Sequence, residues 1–256
     1  MANQASAANV APGIVTGVDI GGTGIKGAPV DTAEGRFVAE RVRVDTPSPA
    51  TPEAVADVVG EILEQIGVAG PVGLTIPAVV RQGVVETAAH IDHSWIGVDA
   101  VELFSKATGR PAAVMNDADA AGIAEVRFGA GRGQDGVVAV VTLGTGIGSA
   151  LFSGGTLVPN TELGHLPLHH GAAEDWAAES VREHDELSWK QFAHRLQAYL
   201  ELLQSVFWPQ LIIIGGGVSK KADKFLPRIE LRTPIMPAQL HNDAGIIGAA
   251  LCAPSS

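Results

Sequence analysis

The tetrapeptide Gly-Thr-Gly-Ile occurs twice, at 22–25 and at 144–147, and each copy stands at the end of an apolar run of strand length. Before the first copy the run 14–20 leads into Asp19-Ile20-Gly21-Gly22. Apolar residues resume over 25–30, a polar turn occupies 31–35, and a third run covers 37–44. The pattern predicts strand, turn, strand, turn, strand. Around the second copy, 137–143 predicts a buried strand, 144–148 the turn and 149–152 a further strand before Ser153-Gly154-Gly155 turns the chain again. A chain that repeats this arrangement is committed to two hairpin-bearing sheets. A glycine turn also lets backbone N–H groups approach a ligand closely and cradle an anion. One copy would be explained by the needs of a tight hairpin. Two copies, each with a threonine hydroxyl, point to a phosphate chain.

The remainder alternates. Between the copies the pattern predicts a helix at 52–66, a strand at 72–76, an extended stretch at 83–86, a helix at 99–108 and a strand at 112–116. After the second copy come a helix at 187–207, a strand at 211–214, the glycines Gly215, Gly216 and Gly217, and a terminal helix at 244–251. Each half opens with a hairpin sheet and continues with helices and strands, so the class is α/β, in two related lobes with a cleft between them. The length, 256 residues, allows one large domain or two smaller ones.

Several classes are disfavoured. Gly22-Thr23-Gly24-Ile25-Lys26-Gly27 matches the dinucleotide-binding spacing, but Pro29 and the turn at 31–35 stand where its helix would begin, and no Gly-Lys-Ser/Thr makes a P-loop. A net charge of −11 argues against nucleic-acid binding. The segment 220–232 runs against that balance, with five basic residues and two acidic ones; it is either a solvated helix face or an anion groove. No run reaches the roughly 18 apolar residues of a membrane helix, so no membrane partner is expected. Cys252 is the only cysteine and cannot form an intrachain disulfide, which makes a reducing cytoplasm the default. Residues 1–13 read as a flexible leader, without the basic and apolar regions of a secretory signal.

The series Asp19-Ile20-Gly21-Gly22-Thr23 with Lys26 after it, Asn116-Asp117, Leu143-Gly144-Thr145-Gly146-Ile147-Gly148, Glu162-Leu163-Gly164-His165 and Gly215-Gly216-Gly217 resembles the sugar kinases of the repressor/ORF/kinase (ROK) family. Order and spacing match over almost the whole chain. The resemblance implies the actin-like, hexokinase-like fold, with two RNase-H-like lobes about a central cleft. The small lobe would be 14–117, rejoined by a terminal helix near 243–256, and the large lobe 118–242. The segments WIGVD, ELGHLPL, EDWAAESVRE and GGGVSKKADKFLP are most similar to the branch that phosphorylates glucose or mannose from polyphosphate or ATP. A cytoplasmic homodimer is implied as well. Two departures stand out. Many members carry a cysteine-rich zinc motif after Glu-x-Gly-His, whereas HHGAAEDWAAES has no cysteine, so no structural zinc is expected; His165 becomes a sugar contact, and His169 and His170 loop residues. Thr75-Ile76-Pro77-Ala78 replaces the family's Gly-x-Pro-Gly beside the sugar.

Phosphoryl transfer requires positioning, electrostatic stabilisation and a group to take the proton of the attacking hydroxyl. Asp117, at a strand end before a helix, is expected to be that base; in isolation it would read as a helix cap. By resemblance Asn116, Asp117, Glu162, His165 and Glu174 bind the sugar, with Asp175 a competitor for the role of Glu174. Asp19 is expected to hold Mg²⁺ through water. Phosphate would be held by Asp19, Gly21, Gly22, Thr23, Gly24 and Lys26, by Gly144, Thr145 and Gly146, and by Gly216, Lys220 and Lys221. ATP-using relatives hold adenosine near Gly-Gly-Gly, whereas a polyphosphate donor needs a run of cations, and the patch at 220–232 begins there. An ATP-dependent glucokinase and a non-catalytic sugar sensor remain alternatives. The sensor is disfavoured because about a dozen residues precede the first predicted strand, too few for a helix-turn-helix. A nicotinamide-dependent oxidoreductase and an actin-like filament protein are weaker readings.

Overall fold

The computed structural model describes residues 13–89 and 91–255. The expected leader, apart from Gly13, lies outside the described residues. The chain divides into two compact units, one running up to Ala124 and resuming at Asp243, the other spanning Glu125–Asn242.

In the first unit β1 (Ile14–Ile20) and β2 (Ile25–Asp31) form the hairpin around the first glycine turn. The expected third strand at 37–44 is instead two pieces, β3 (Arg36–Phe37) and β4 (Val42–Val44), both antiparallel to β2. Val38 N–H still donates to Pro29 O at 3.0 Å, but Pro29 has no N–H to return, so the ladder stops there and the chain at 39–41 loops out. Helix α1 (Pro52–Ile66) starts where Thr51 caps it, with proline in its first turn, and ends at Gly67 in the left-handed conformation. It leads to β5 (Val72–Ile76), parallel to β1. A small hairpin, β6 (Val80–Arg81) and β7 (Val84–Val85), precedes α2 (Ala100–Thr108), whose N-terminus Asp99 caps. Strand β8 (Ala112–Asn116) then joins β5 in parallel and runs straight into α3 (Asp117–Phe128). The sheet order is β3-β2-β1-β5-β8, with β4 also on β2. Val18, Ile20, Leu74 and Ile76 pack with Val55, Val59, Ile62, Trp95 and Phe104 to form the core.

The division between units falls inside α3. In the second unit β9 (Val137–Leu143) and β10 (Ile147–Ser153) flank the second glycine turn, and β11 (Thr156–Val158) follows on β10. The hairpin of β12 (Pro167–Leu168) and β13 (Gly171–Ala172) leads to two short helices, α4 (Glu174–Ala177) and α5 (Glu179–His184). The long α6 (Trp189–Phe207) opens with a reciprocal capping box between Ser188 and Gln191. Strands β14 (Leu211–Gly215) and β15 (Ile235–Pro237) complete a sheet of order β11-β10-β9-β14-β15. Its core joins Val141, Leu143, Ile212 and Ile214 to Phe192, Leu196, Tyr199, Leu200 and Phe225.

The chain returns to the first unit as α7 (Ala244–Cys252), which lies on β1 and β5. The approach is so close that a Cβ on Gly17 would sit 2.0 Å from the Ile246 carbonyl oxygen, and one on Gly73 1.7 Å from that of Ala249. Burial pushes the Cys252 thiol up to about 12, so it is an inert part of this packing. Among the described residues no helix is long and apolar enough to cross a membrane.

Candidate active site

In the first unit the side chain of Asp19 is placed by register. Asp19 pairs with Lys26 across the β1–β2 hairpin and with Thr75 across the parallel β1–β5 ladder, and directly opposed residues share a face. Thr75 Oγ1 donates to Asp19 Oδ1 at 2.9 Å, and Lys26 Nζ lies 3.6 Å from Oδ2. A Cβ on Gly245, near the start of α7, would come within 3.1 Å of the Asp19 carboxyl group, so glycine there keeps the carboxylate unobstructed. Ahead of it, the turn closes through a hydrogen bond from Gly21 N–H to Gly24 O (3.2 Å) and exposes Gly22 and Thr23. Two residues not foreseen from sequence hold it from behind: Thr46 Oγ1 donates to Gly21 O at 2.6 Å and Arg43 to Thr23 O at 3.1 Å. They follow or belong to β4, and only its pairing with β2 brings them here.

Asn116 ends β8 nearly buried. Its Oδ1 accepts from Ala118 N–H (2.9 Å) and Asp119 N–H (3.0 Å), and its Nδ2 donates to Ala78 O (3.1 Å). The capping role weighed for Asp117 thus belongs in large part to Asn116, and the same side chain pins the Thr75-Ile76-Pro77-Ala78 segment. Asp117 opens α3 half-buried, its Oδ1 accepting from Ala118 N–H at 2.8 Å.

In the second unit, the loop carrying Glu162 and His165 is anchored to β10. Ser149 Oγ donates to Thr161 O and accepts from Leu163 N–H at 3.0 Å. Gly164 permits the contact, since a Cβ there would lie 2.2 Å from Ile147 O. Glu174 Oε1 lies 3.3 Å from His165 Nε2, while its Oε2 accepts from Ile147 N–H at 3.1 Å, so one carboxylate joins the histidine to the end of the glycine turn. Asp175, its competitor, instead accepts from Ala172 N–H at 3.1 Å and is exposed. Glu162 is half-buried at the head of the single 3₁₀ turn Leu163–His165. His169 packs on the Trp176 ring at 4.7 Å and the Arg195 guanidinium lies over that ring at 4.0 Å, itself held by Asp185 at 2.9 Å. This stack secures α4, which carries Glu174. Among the described residues no group of three or more His, Cys, Asp or Glu could hold a metal ion.

Gly216 follows β14 with φ of 80°, and a Cβ there would fall 2.2 Å from Leu143 O; both facts demand glycine. The basic segment beyond it forms no continuous helix face. It is the 3₁₀ stretch Gly217–Lys224, kinked at Lys221, and the turn Leu226–Arg228. Lys220 and Lys221 are exposed. Lys221, Lys224 and Arg182 converge on Trp189, at 5.8, 5.7 and 4.4 Å from its ring centroid. Glu179 lies near this cluster, and burial, helped by the charge of Glu183, raises its pKa against the pull of Lys221 and Arg182.

A model of the ROK family matches residues 15–179. Over 236 residues the chain is 48% identical to the polyphosphate glucokinase of Mycobacterium tuberculosis (strain CDC 1551 / Oshkosh), covering 92% of this chain and 89% of the relative. The crystal structure of the inorganic polyphosphate/ATP-glucomannokinase from Arthrobacter sp. strain KM superimposes with a TM-score of 0.90 at 50% identity, covering 93% of this chain and 97% of that one. A ROK family glucokinase from Streptomyces griseus, solved with glucose and AMPPNP, gives a TM-score of 0.80 at 26% identity, with coverage of 93% and 98%. The actin-like α/β class expected from the sequence is the fold of these structures. Family model, sequence identity and fold agree, and the chain belongs to the ROK family.

Proposed function

We propose that this protein is a hexose kinase that transfers the terminal phosphoryl group of inorganic polyphosphate to the 6-hydroxyl of glucose, and that it also accepts ATP as donor and mannose as acceptor. The observation that carries the reading is the 48% identity to a polyphosphate glucokinase over nearly the full length of both chains. The glucomannokinase likeness supports the wider donor and acceptor range. Asp117 takes the proton of the 6-hydroxyl as its oxygen bonds to the terminal phosphorus; the bond from that phosphorus to the bridging oxygen breaks, and the donor leaves one phosphate shorter. Asn116, Asp117, Glu162, His165 and Glu174 bind the sugar hydroxyls as paired acceptors and donors. The two glycine turns, Lys26, Gly216, Lys220 and Lys221 hold the donor. A single carboxylate, Asp19, with a lysine 3.6 Å away, fits a Mg²⁺ held mainly by water and donor oxygens rather than by a protein cage. Magnesium supplies charge neutralisation on the phosphates when bound.

The test is formation of glucose 6-phosphate by purified protein with Mg²⁺ and glucose, comparing nucleotide-free polyphosphate with ATP. Product from polyphosphate is expected, and silence with both donors would overturn the reading. In the same assay Asp117→Asn should lower kcat by about 10²- to 10⁴-fold with glucose binding still measurable. Wild-type turnover in that variant would assign the base elsewhere.

A further inference from the structure

The second glycine turn can be accounted for group by group. Gly144 N–H closes the turn on Gly146 O at 3.0 Å, and Ile147 N–H is taken by Glu174. The N–H groups of Thr145 and Gly146 have no partner among the described residues. The carbonyls of the same two peptide units are both held by one residue of α5. Ser180 N–H donates to Gly144 O at 3.0 Å, and Ser180 Oγ donates to Thr145 O at 2.5 Å. In a trans peptide the C=O and the following N–H point in opposite directions. The N–H of Thr145 therefore points away from Gly144 O, and that of Gly146 away from Thr145 O. Ser180 faces both carbonyls, so both free amides are turned away from α5, side by side, as successive amides are in an anion-binding nest.

We propose that Ser180 is a positioning residue for phosphoryl transfer: it fixes the peptide planes of the second turn so that the Thr145 and Gly146 amides jointly bind oxygens of the donor's phosphate chain. The inference rests on the kinase reading and extends it to a residue that makes no contact with the donor. The first turn shows the same design with unrelated residues. Thr46 holds Gly21 O and Arg43 holds Thr23 O, which turns the Gly22 and Gly24 amides away from them. Two turns in separate units, restrained from behind by different side chains, share one consequence: backbone donors set in place before the anion arrives, so that binding does not have to order them.

The experiment measures affinity for inorganic tripolyphosphate by calorimetry without glucose, together with separate KM values for polyphosphate and glucose and the Tm, in wild type, Ser180→Ala and Ser180→Thr. Ser180→Ala should weaken tripolyphosphate binding and raise the polyphosphate KM about tenfold, the effect of losing one hydrogen bond, with the glucose KM unchanged. Ser180→Thr, which keeps the hydroxyl, should restore wild-type values. Donor affinity unchanged in Ser180→Ala, or an equal rise in both KM values, would overturn the proposal. If Ser180→Ala does not fold, Ser180→Cys serves in its place, its weaker S–H donor giving an intermediate donor affinity at unchanged glucose KM; a Cys variant indistinguishable from wild type would sink the idea. A wild-type protein that binds no tripolyphosphate and phosphorylates no glucose would defeat the kinase reading itself, and this proposal with it. A competent wild type with an indifferent Ser180→Ala defeats this proposal alone.

Discussion

Asn116 and Asp117 are neighbours at one strand end, and the structure separates their work. Asn116 is nearly buried and satisfied by two amides of α3 and the Ala78 carbonyl, so it sets the geometry of the junction. Asp117 is half-buried on the first turn of that helix, where the helix dipole favours its charge. Glu179 also opens a helix, α5, but there burial prevails. Its pKa is raised, by burial first and by Glu183 second. A carboxyl whose native pKa lies above its unfolded value binds more protons in the native state, so stability is full below the unfolded value and falls as pH rises through the native one. Glu179→Gln, which keeps the shape without the charge, should therefore gain stability over wild type as pH rises above the ordinary carboxylate value of 4.5, and match it at more acidic pH. Urea titrations of both proteins across that range would show it; a difference that shrinks with rising pH would contradict the assignment.

At the scale of elements, α7 is the most demanding fit. It packs backbone against backbone on Gly17 of β1 and Gly73 of β5, and Gly248 within it leaves no room for a Cβ beside Ala120 O of α3, at 1.9 Å. Gly73→Ala has to displace the helix, and overpacking of this kind costs about 1–3 kcal/mol. Because α7 begins beside Asp19, the displacement should reduce turnover along with Tm. Gly60→Ala, inside α1 with nothing within 4 Å of the new methyl, is the control and should be neutral or stabilise by up to about 1 kcal/mol. Equal Tm values for the two variants would show that α7 is not held as tightly as its contacts imply. The break between β3 and β4 carries a related lesson. An apolar run suited to one strand becomes two because its neighbour in the sheet contains Pro29.

For the whole molecule, the question is how a chain of net charge −11 holds a polyanion. Long-range repulsion has to be reversed locally, and in the function proposed above the basic stretch after Gly216 is the part of the chain that does so. Lys220→Ala with Lys221→Ala should raise the polyphosphate KM about tenfold, as for loss of charged contacts, and flatten its dependence on salt. The glucose KM should stay as it is. Polyphosphate KM values measured across a salt series in wild type and the double variant would test this; parallel salt dependences would return these lysines to a solvated surface.

Local pattern was enough to determine the repeated hairpins, the extent of α1, and the strands over 14–20, 72–76 and 112–116, because periodicity and turn chemistry are written within a few residues. The motifs that mark the family were legible for the same reason. Tertiary structure alone decided that Thr46 and Arg43 hold the first turn, that Ser180 holds the second, and that Glu174 rather than Asp175 meets His165 and Ile147. A carbonyl oxygen carries no sequence signature, and Ser180 lies 35 residues from the one its hydroxyl meets. Which donor reaches it depends on how distant segments pack, and packing is a property of the folded chain.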